Sequence, residues 1–518
     1  MKQIHIYILI IFNTITVAFA QKIDTSNVGT TNLNFVTDSA SYAGYNFAKT
    51  SPFYIKSLMP SKFNNLTATH SFEKGGLTLA QMPKKLSFTN FSTEGISQLQ
   101  SVSIWGQFSY QRVVEDSVSF AHQTRNNIAN PYYFGSQKSV SYQRALYNLK
   151  ALASRNFINN NLPIGLGVDY RIGNHYSTND PRGDIGDFQL NLIGTIGYHF
   201  TKQLSIGAGY RYGYGLEKVN VAYKNASLSQ GSLIPEFNNY LISGYGEPEI
   251  FNTRRTFQNN STRNGIDAYL TYNNDNFGNF NLSYQSIKEK QDYNYRTSVG
   301  IEHFVNFNIV NEQYKLLWLK NLGKNSVSVE LGYQTNTGDN YVLKYLANSY
   351  LFKNNNINAK AIYTLKQNQY IHNFVGSLSK YEEQKIDGIA GNNIQFNRLN
   401  YNLGYSINHT DKNSHNLGIG ISGFYTQYLD SQFNVLLLNE GSFTKDVIYH
   451  DYAYNTAARY GGSLSANYNI PLFTQIHAGV KITSTYMRRG ELQNINRTLT
   501  SVPGKDRFFN NISLNLYF

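Results

Sequence analysis

Apolar and polar residues alternate along most of the chain. Val102, Ile104, Phe108 and Tyr110 fall on one side of an extended segment, with serine and glutamine residues between them. A period of two indicates a β-strand whose two faces meet different surroundings. The same alternation returns in segment after segment up to the last residue, which indicates an all-β chain.

The alternation predicts 18 strands. They are placed near residues 64–73, 86–96, 102–112, 143–154, 163–172, 187–200, 203–214, 265–273, 279–288, 312–322, 326–335, 358–366, 370–380, 398–408, 416–427, 463–470, 475–486 and 507–518. Strands of soluble proteins usually have about five or six residues. Most of these are longer, as a tilted strand that crosses a bilayer must be.

The connections between the strands carry a second period. Short links alternate with long polar stretches near 215–264, 289–311, 381–397, 428–462 and 487–506. This is typical of a transmembrane, antiparallel, up-and-down β-barrel with short periplasmic turns and long extracellular loops. The count of 18 requires residues 341–351 to lie in a loop. Sixteen strands is the alternative, if residues 64–96 form no complete hairpin.

The N-terminus predicts export. Residues 1–20 contain Lys2, an apolar run from Ile4 to Phe12 and the sequence Ala-Phe-Ala at 18–20. This is the pattern of a cleaved signal peptide, and the run is short for a membrane-spanning helix. We therefore expect three parts: a signal peptide at 1–20, a periplasmic or lumenal segment at 21–63 and the barrel at 64–518.

The last strand ends on an aromatic residue. Ile512, Leu514, Leu516 and Phe518 share one face, with polar residues between them. A terminal alternating strand that stops on phenylalanine resembles the signal by which the barrel assembly machinery recognises its substrates. We predict that Leu514, Leu516 and Phe518 form this signal.

Composition agrees with a barrel in the outer membrane of a Gram-negative bacterium. The 518 residues include 42 Tyr and 32 Phe but no Cys, and the mean hydropathy is −0.41. These values exclude a helical membrane protein, disulfides and cysteine-bound metals, while tyrosines fit the interfacial girdles of a barrel. The net charge of +13 comes from dispersed residues. We expect them to meet lipopolysaccharide and membrane lipid, and we expect no nucleic-acid partner.

The inward face of the predicted barrel is polar. Its candidate lumen-lining residues are Asp169, Arg171, Asp187, His199, Arg211, Asp267, Glu330, His477 and Lys481. A selective pore more naturally has a constriction of one dominant sign. The mixture of signs therefore favours a network that braces or partly fills the barrel.

One loop carries candidate ligand contacts. Tyr449, His450, Asp451, Tyr452 and Tyr454 place aromatic rings beside a histidine and a carboxylate. Such groups could hold a sugar, an aromatic ligand or a metal, or they could simply pack the loop. The sequence contains no phosphate-binding loop, paired-histidine motif or nucleophile elbow. We accordingly predict no catalytic residue, no cofactor and no enzyme activity.

The chain also resembles a Bacteroidota-type family of outer-membrane β-barrel proteins of similar length. The resemblance rests on residues 130–135 (Asn-Pro-Tyr-Tyr-Phe-Gly), 165–171 (Gly-Leu-Gly-Val-Asp-Tyr-Arg), 180–182 (Asp-Pro-Arg) and 516–518 (Leu-Tyr-Phe). It implies the fold and the location but no activity. TonB-dependent transporters are a poorer match, because they need a longer N-terminal plug before a larger barrel.

Two functional hypotheses follow, with a third behind them. The first is an accessory or structural subunit of an envelope or uptake complex, beside another outer-membrane complex. The second is a porin-like channel or transporter for a small solute, because barrels of this strand number typically enclose water. An outer-membrane enzyme is the third.

Overall fold

A computed structural model describes residues 28–99, 101–126, 129–230, 233–297, 300–436, 440–473, 476–494 and 497–518. The predicted signal peptide at 1–20 lies outside these residues. Eighteen long strands of the described chain form one antiparallel sheet in which each strand pairs with the next, and the last pairs back with the first. The sheet is therefore a closed barrel, as the alternation predicted.

The barrel strands are numbered in chain order. They are β1 (Lys62–Lys74), β2 (Lys85–Gln98), β3 (Val102–Val118), β4 (Val140–Phe157), β5 (Leu162–Ser177), β6 (Arg182–His199), β7 (Leu204–Ala222), β8 (Thr256–Asn274), β9 (Gly278–Thr297), β10 (Gly300–Leu322), β11 (Asn325–Val342), β12 (Tyr350–Gln367), β13 (Tyr370–Asp387), β14 (Asn392–Thr410), β15 (Asn416–Asn434), β16 (Arg459–Phe473), β17 (Ile476–Arg489) and β18 (Asp506–Tyr517).

The strand count of 18 is confirmed and the alternative of 16 is wrong. Strands β1 and β2 form a complete hairpin, with Lys62 paired to Ser97 and Lys74 paired to Lys85. The stretch between β11 and β12 turns back on itself through a bridge of Val342 with Ala347. This stretch does not add another strand to the barrel, so the even number of strands holds.

The strands extend further into the predicted loops than the alternation indicated. Strand β9 runs to Thr297 and β10 begins at Gly300, although the weak alternation of residues 289–311 predicts a long loop. Likewise β13 ends at Asp387 and β14 begins at Asn392, within the predicted loop at 381–397. Backbone pairing continues beyond the bilayer, where both faces of a strand meet polar surroundings and alternation disappears.

The outward face of the barrel is apolar and aromatic. The side chains of Leu166, Leu403 and Leu464 are 67%, 73% and 63% exposed, respectively. Tyrosines pair across neighbouring strands on the same face, as in Tyr284 and Tyr314, whose ring centroids are 4.7 Å apart. Apolar side chains on this scale are stabilised by lipid, since their exposure to water is unfavourable. The protein has the fold of an outer-membrane β-barrel.

Residues 28–59, here called the plug, lie inside the short-turn end of the barrel. The plug consists of α1 (Val28–Thr37), α2 (Ser39–Ala48), a 3-10 turn (Pro52–Tyr54) and α3 (Ile55–Leu58). No helix in the described chain is both long and apolar enough to span a membrane. The plug buries its aromatic side chains against inward-facing residues of the strands, so it fills this part of the lumen.

Three connections fold into the opposite end of the barrel and are here called the cap. They are the described parts of residues 119–139, 223–255 and 435–458, and they follow β3, β7 and β15. The segments Tyr132–Gly135, Tyr240–Ser243 and Glu249–Ile250 pair as a small sheet, and α4 (Tyr449–Thr456) packs beside it. Their buried apolar side chains join inward residues of the strands in one cluster.

Candidate functional site

A polar chamber lies inside the barrel between the cap and the plug. Its upper lobe has a volume of about 430 Å³ and touches the cap through Asn126 and Asn130. Its lower lobe has a volume of about 390 Å³ and touches the plug through Thr50. Both lobes are lined by Arg263 and Glu289, so they adjoin each other.

The period of the strands places polar side chains in this chamber. On β8, Asn259, Ser261 and Arg263 line the upper lobe, and the residues between them point outward. Successive side chains of a strand alternate between its faces, so one strand supplies every second residue to the lumen. The chamber wall is therefore formed by the inward-facing polar residues of several neighbouring strands.

The charged groups of the chamber are paired across strands. The Arg263 guanidinium donates to both carboxylate oxygens of Glu289, with Nε–Oε2 at 2.7 Å and Nη2–Oε1 at 2.9 Å. Arg171 Nη2 lies 3.1 Å from Asp187 Oδ2. In the lower lobe, Arg211 contributes a third guanidinium, and its Nε lies 2.8 Å from Asp267 Oδ2. Such pairs hold each other in a fixed orientation and leave little unbalanced charge.

Three buried polar atoms at the chamber have no hydrogen-bond partner within the described chain. They are Asn259 Oδ1, Arg171 Nε and Arg263 Nη1. Buried polar groups nearly always bind a partner, which can be water or a ligand. Each of the three atoms is enclosed in the wall of the upper lobe, with no surface open to the lobe itself.

All nine predicted lumen-lining residues lie on the inward side of their strands. Arg171 and Asp187 line the upper lobe, Asp169 and Arg211 line the lower lobe, and Asp267 pairs with Arg211. The structure brings these five together at the chamber.

The other four predicted residues lie elsewhere in the lumen. His199 Nδ1 is 2.5 Å from Ser205 Oγ near the short-turn end, and His477 is 2% exposed. Glu330 is half-buried on β11. Lys481 lines a cavity of about 210 Å³ beside the plug. These residues take no part in the chamber.

The predicted loop residues 449–454 are part of α4 rather than an open loop. His450 Nε2 lies 2.9 Å from the Thr78 carbonyl oxygen, and Asp451 Oδ1 accepts a hydrogen bond of 2.7 Å from Ala80 N. Tyr449 donates to Glu440, Tyr452 bonds Ser431, and the Arg459 guanidinium lies 4.3 Å from the centre of the Tyr454 ring. These contacts pack the cap, and no group of three or more metal-ligating side chains occurs among the described residues.

Burial sets the electrostatics of the cap. It raises the pKa of Tyr449 to about 12 and also raises the pKa of the Asp451 carboxyl. Burial lowers the pKa of His122 to about 3, with a further contribution from the Arg144 guanidinium. This imidazole is therefore neutral at physiological pH and bonds the Tyr142 hydroxyl at 2.5 Å. The cap is held by neutral packing and hydrogen bonds as well as by ion pairs.

The plug is fixed to the barrel wall through Asp38 and Tyr45. Asp38 accepts from the Ser41 backbone N–H at the start of α2, from Ser326 Oγ at 3.0 Å and from Lys366 Nζ at 2.5 Å. Trp105 Nε1 donates to the Tyr45 hydroxyl at 2.9 Å. Polar contacts with two sides of the wall thus accompany the aromatic packing.

The predicted assembly residues lie at the end of the chain, on the outward face. Leu514 and Phe518 are 57% and 39% exposed, and Leu516 is half-buried between them. The Phe518 backbone exchanges hydrogen bonds with Asn64 on β1, which closes the barrel at this point.

Sequence reasoning missed Glu217, Asn259, Arg263 and Glu289. Glu217, Asn259 and Arg263 fall within the stretch 215–264, and Glu289 begins the stretch 289–311. The apolar alternation of both stretches is weak, which predicts loops. The position of Asp267 in the alternation would have identified two of these residues as inward-facing. Counting back by twos from Asp267 reaches Arg263 and Asn259 on the same face.

Several solved barrel structures are similar to the chain. It is similar to the ferric yersiniabactin uptake receptor FyuA from Yersinia pestis (8% identity, TM-score 0.41, covering 88% of this chain and 80% of that one). It is also similar to the siderophore receptor PiuA from Acinetobacter baumannii (11%, 0.37, 88% and 82%). A third similar structure is the outer membrane protein opdK from Pseudomonas aeruginosa (10%, 0.33, 88% and 99%).

These similarities assign no activity to the chain. No curated protein matches the sequence. A family profile, described as a family of unknown function (DUF6850), matches residues 52–518. That range comprises β1 to β18 and the last part of the plug. The chain belongs to this family of unknown function, DUF6850.

Proposed function

We propose that this protein is a closed barrel in the outer membrane of a Gram-negative bacterium of the Bacteroidota type, and that residues 1–20 are removed on export. In this proposal it is an accessory or structural subunit of an envelope or uptake complex, without catalytic activity. The observation that carries the proposal is the packing of the plug inside the short-turn end of the barrel.

The plug is packed like a protein core. Tyr45, Tyr54 and Trp105 are fully buried, and the Phe53 ring stacks on Tyr269 at 5.1 Å between centroids. An aromatic side chain buries about 150–250 Å², and at about 25 cal/mol per Å² this gives several kcal/mol per ring. A segment held by several such rings stays in place rather than leaving the lumen freely.

A gated passage for a small solute is the second candidate function. The observation that favours it is the chamber between plug and cap, because a purely structural barrel has no need of a polar cavity of this size. In this candidate the plug or the cap moves when solute passes.

The partners in both proposals follow from the surface of the barrel. The outward apolar face would contact membrane lipid, and dispersed basic residues would contact lipopolysaccharide phosphates. Leu514, Leu516 and Phe518 would be read by the barrel assembly machinery. A neighbouring outer-membrane complex is the proposed partner of the first candidate function.

Single-channel recording tests the proposed closure. We expect the purified, folded protein to give no lasting conductance steps in a planar bilayer, because the plug and the cap obstruct the lumen in series. Heat-modifiable migration in gel electrophoresis provides the control that the barrel is folded and inserted. Steady steps of the size of an open barrel of this strand number would contradict the closed form, and brief solute-dependent openings would favour the gated passage.

A further inference from the structure

We infer that the upper lobe of the chamber binds a small, neutral, polyhydroxylated solute of the mono- or disaccharide class. The inference deepens the second candidate function and rests on it for its biological use. The binding itself requires only the folded barrel.

The charge of the upper lobe argues against an ionic ligand. Arg171 and Arg263 are paired with Asp187 and Glu289, and Glu217 lies in the same wall. A bound anion would meet three carboxyl groups, and a bound cation would meet two guanidinium groups. Removing an ion from water is costly unless the site supplies an opposite charge. Here the charged side chains already form ion pairs with each other.

The polar side chains of the lobe wall match hydroxyl groups. Asn259, Ser261 and Asn311 line the lobe with amide and hydroxyl groups, which include both donors and acceptors. A hydroxyl group of a ligand likewise donates and accepts a hydrogen bond. A polyol can therefore bond with both kinds of wall group, whereas a ligand with only donors or only acceptors cannot.

The remaining wall suits the rest of a sugar. Amide side chains at Gln189, Gln291 and Gln334 add donors and acceptors around the lobe, and Ile287 and Ile309 supply an apolar side. A sugar ring likewise has polar edges and C–H faces. The volume of about 430 Å³ falls in the range of small-molecule sites.

The test is equilibrium binding to the full-length, folded protein in detergent. Sucrose is the neutral probe, glucose 6-phosphate the anionic one and glucosamine the cationic one, each measured by isothermal titration calorimetry. We expect saturable binding of sucrose and binding of the two charged sugars that is weaker by roughly tenfold or more. Absence of saturable sucrose binding, or tighter binding of either charged sugar, would overturn the inference.

Asn259 offers a matched pair of variants. Asn259→Ala removes an amide group from the lobe wall, and we expect sucrose binding to weaken by about threefold to tenfold. Asn260→Ala changes the next residue, whose exposed side chain points out of the barrel, and should leave binding unchanged. If Asn259→Ala does not fold, Ser261→Leu fills the same lobe with an apolar side chain and should abolish binding. Unchanged binding in the folded lobe variant would place the sugar elsewhere and overturn the assignment.

The binding experiment and the conductance experiment can contradict their proposals independently of each other. A barrel that is silent in the bilayer but binds no sucrose overturns only the ligand class. A barrel that conducts steadily and still binds sucrose through Asn259 overturns only the closed form.

Discussion

Removal of the plug, residues 28–59, is expected to expose Ser326→Cys to a membrane-impermeant maleimide, raising its labelling rate by roughly a hundredfold or more. Ser326 is 4% exposed, and its hydroxyl donates to Asp38 of the plug at 3.0 Å. With the plug present, labelling must wait for local opening. Without the plug, the side chain faces the open lumen. The chain has no native cysteine, so the introduced thiol is the one that reacts.

The control for this experiment is Asn276→Cys. Asn276 is exposed in the short turn between β8 and β9, so its labelling rate should be the same with and without the plug. Retained heat-modifiable migration shows that the shortened chain still forms a barrel. Equal labelling of Ser326→Cys in the two folded forms would show that the plug does not cover the wall.

Leu403→Arg is expected to lower the free energy of unfolding in lipid vesicles by about 2–4 kcal/mol, because the substitution places a charged side chain on the lipid face near the bilayer midplane. Leu403 is 73% exposed in the middle of the outward row of β14, between Leu399 and Ile407. Urea titration of the vesicle-inserted barrel, followed by tryptophan fluorescence, measures the difference.

Asn402→Arg is the matched control for the lipid face. Asn402 precedes Leu403 on the same strand, and its exposed side chain points into the lumen. A new charge there should change stability by no more than about 0.5 kcal/mol. If Asn402→Arg cost as much as Leu403→Arg, the assignment of the outward face to lipid would be wrong.

The barrel wall could be predicted from sequence because it has one dominant cause. Each bilayer-crossing strand separates lipid from lumen, so residues such as Leu403 and Asn402 must differ, and the period of two records that difference. Beyond the bilayer both faces of a strand meet polar surroundings, so the alternation no longer marks the strand. The strand ends at Thr297 and Asp387 could therefore not be predicted.

The inner structure could be predicted only in part. The alternation predicts that Asp267 and Arg211 face inward, but their pairing depends on the register between β7 and β8, which the long connection at 223–255 does not fix. The helices of the plug and α4 are short and show no strong amphipathic pattern. Tyr449 and His450 resemble a ligand site in the sequence, because aromatic residues that pack a cap cannot be told by composition from aromatic residues that contact a ligand. Closure of the lumen emerges from these tertiary contacts.

The most direct measurement of the central claim is a cross-link between the plug and the barrel wall in intact cells. Ala40 N lies 3.3 Å from Thr364 Oγ1, which brings α2 against the inward face of β12. We expect the double variant Ala40→Cys, Thr364→Cys to form an intramolecular disulfide that mass spectrometry detects after digestion. The pair Ala40→Cys, Tyr363→Cys should form none, since Tyr363 faces lipid and its Cβ points away. Failure of the first pair to cross-link in a folded barrel, or equal cross-linking of both pairs, would contradict a lumen closed by its own N-terminal segment.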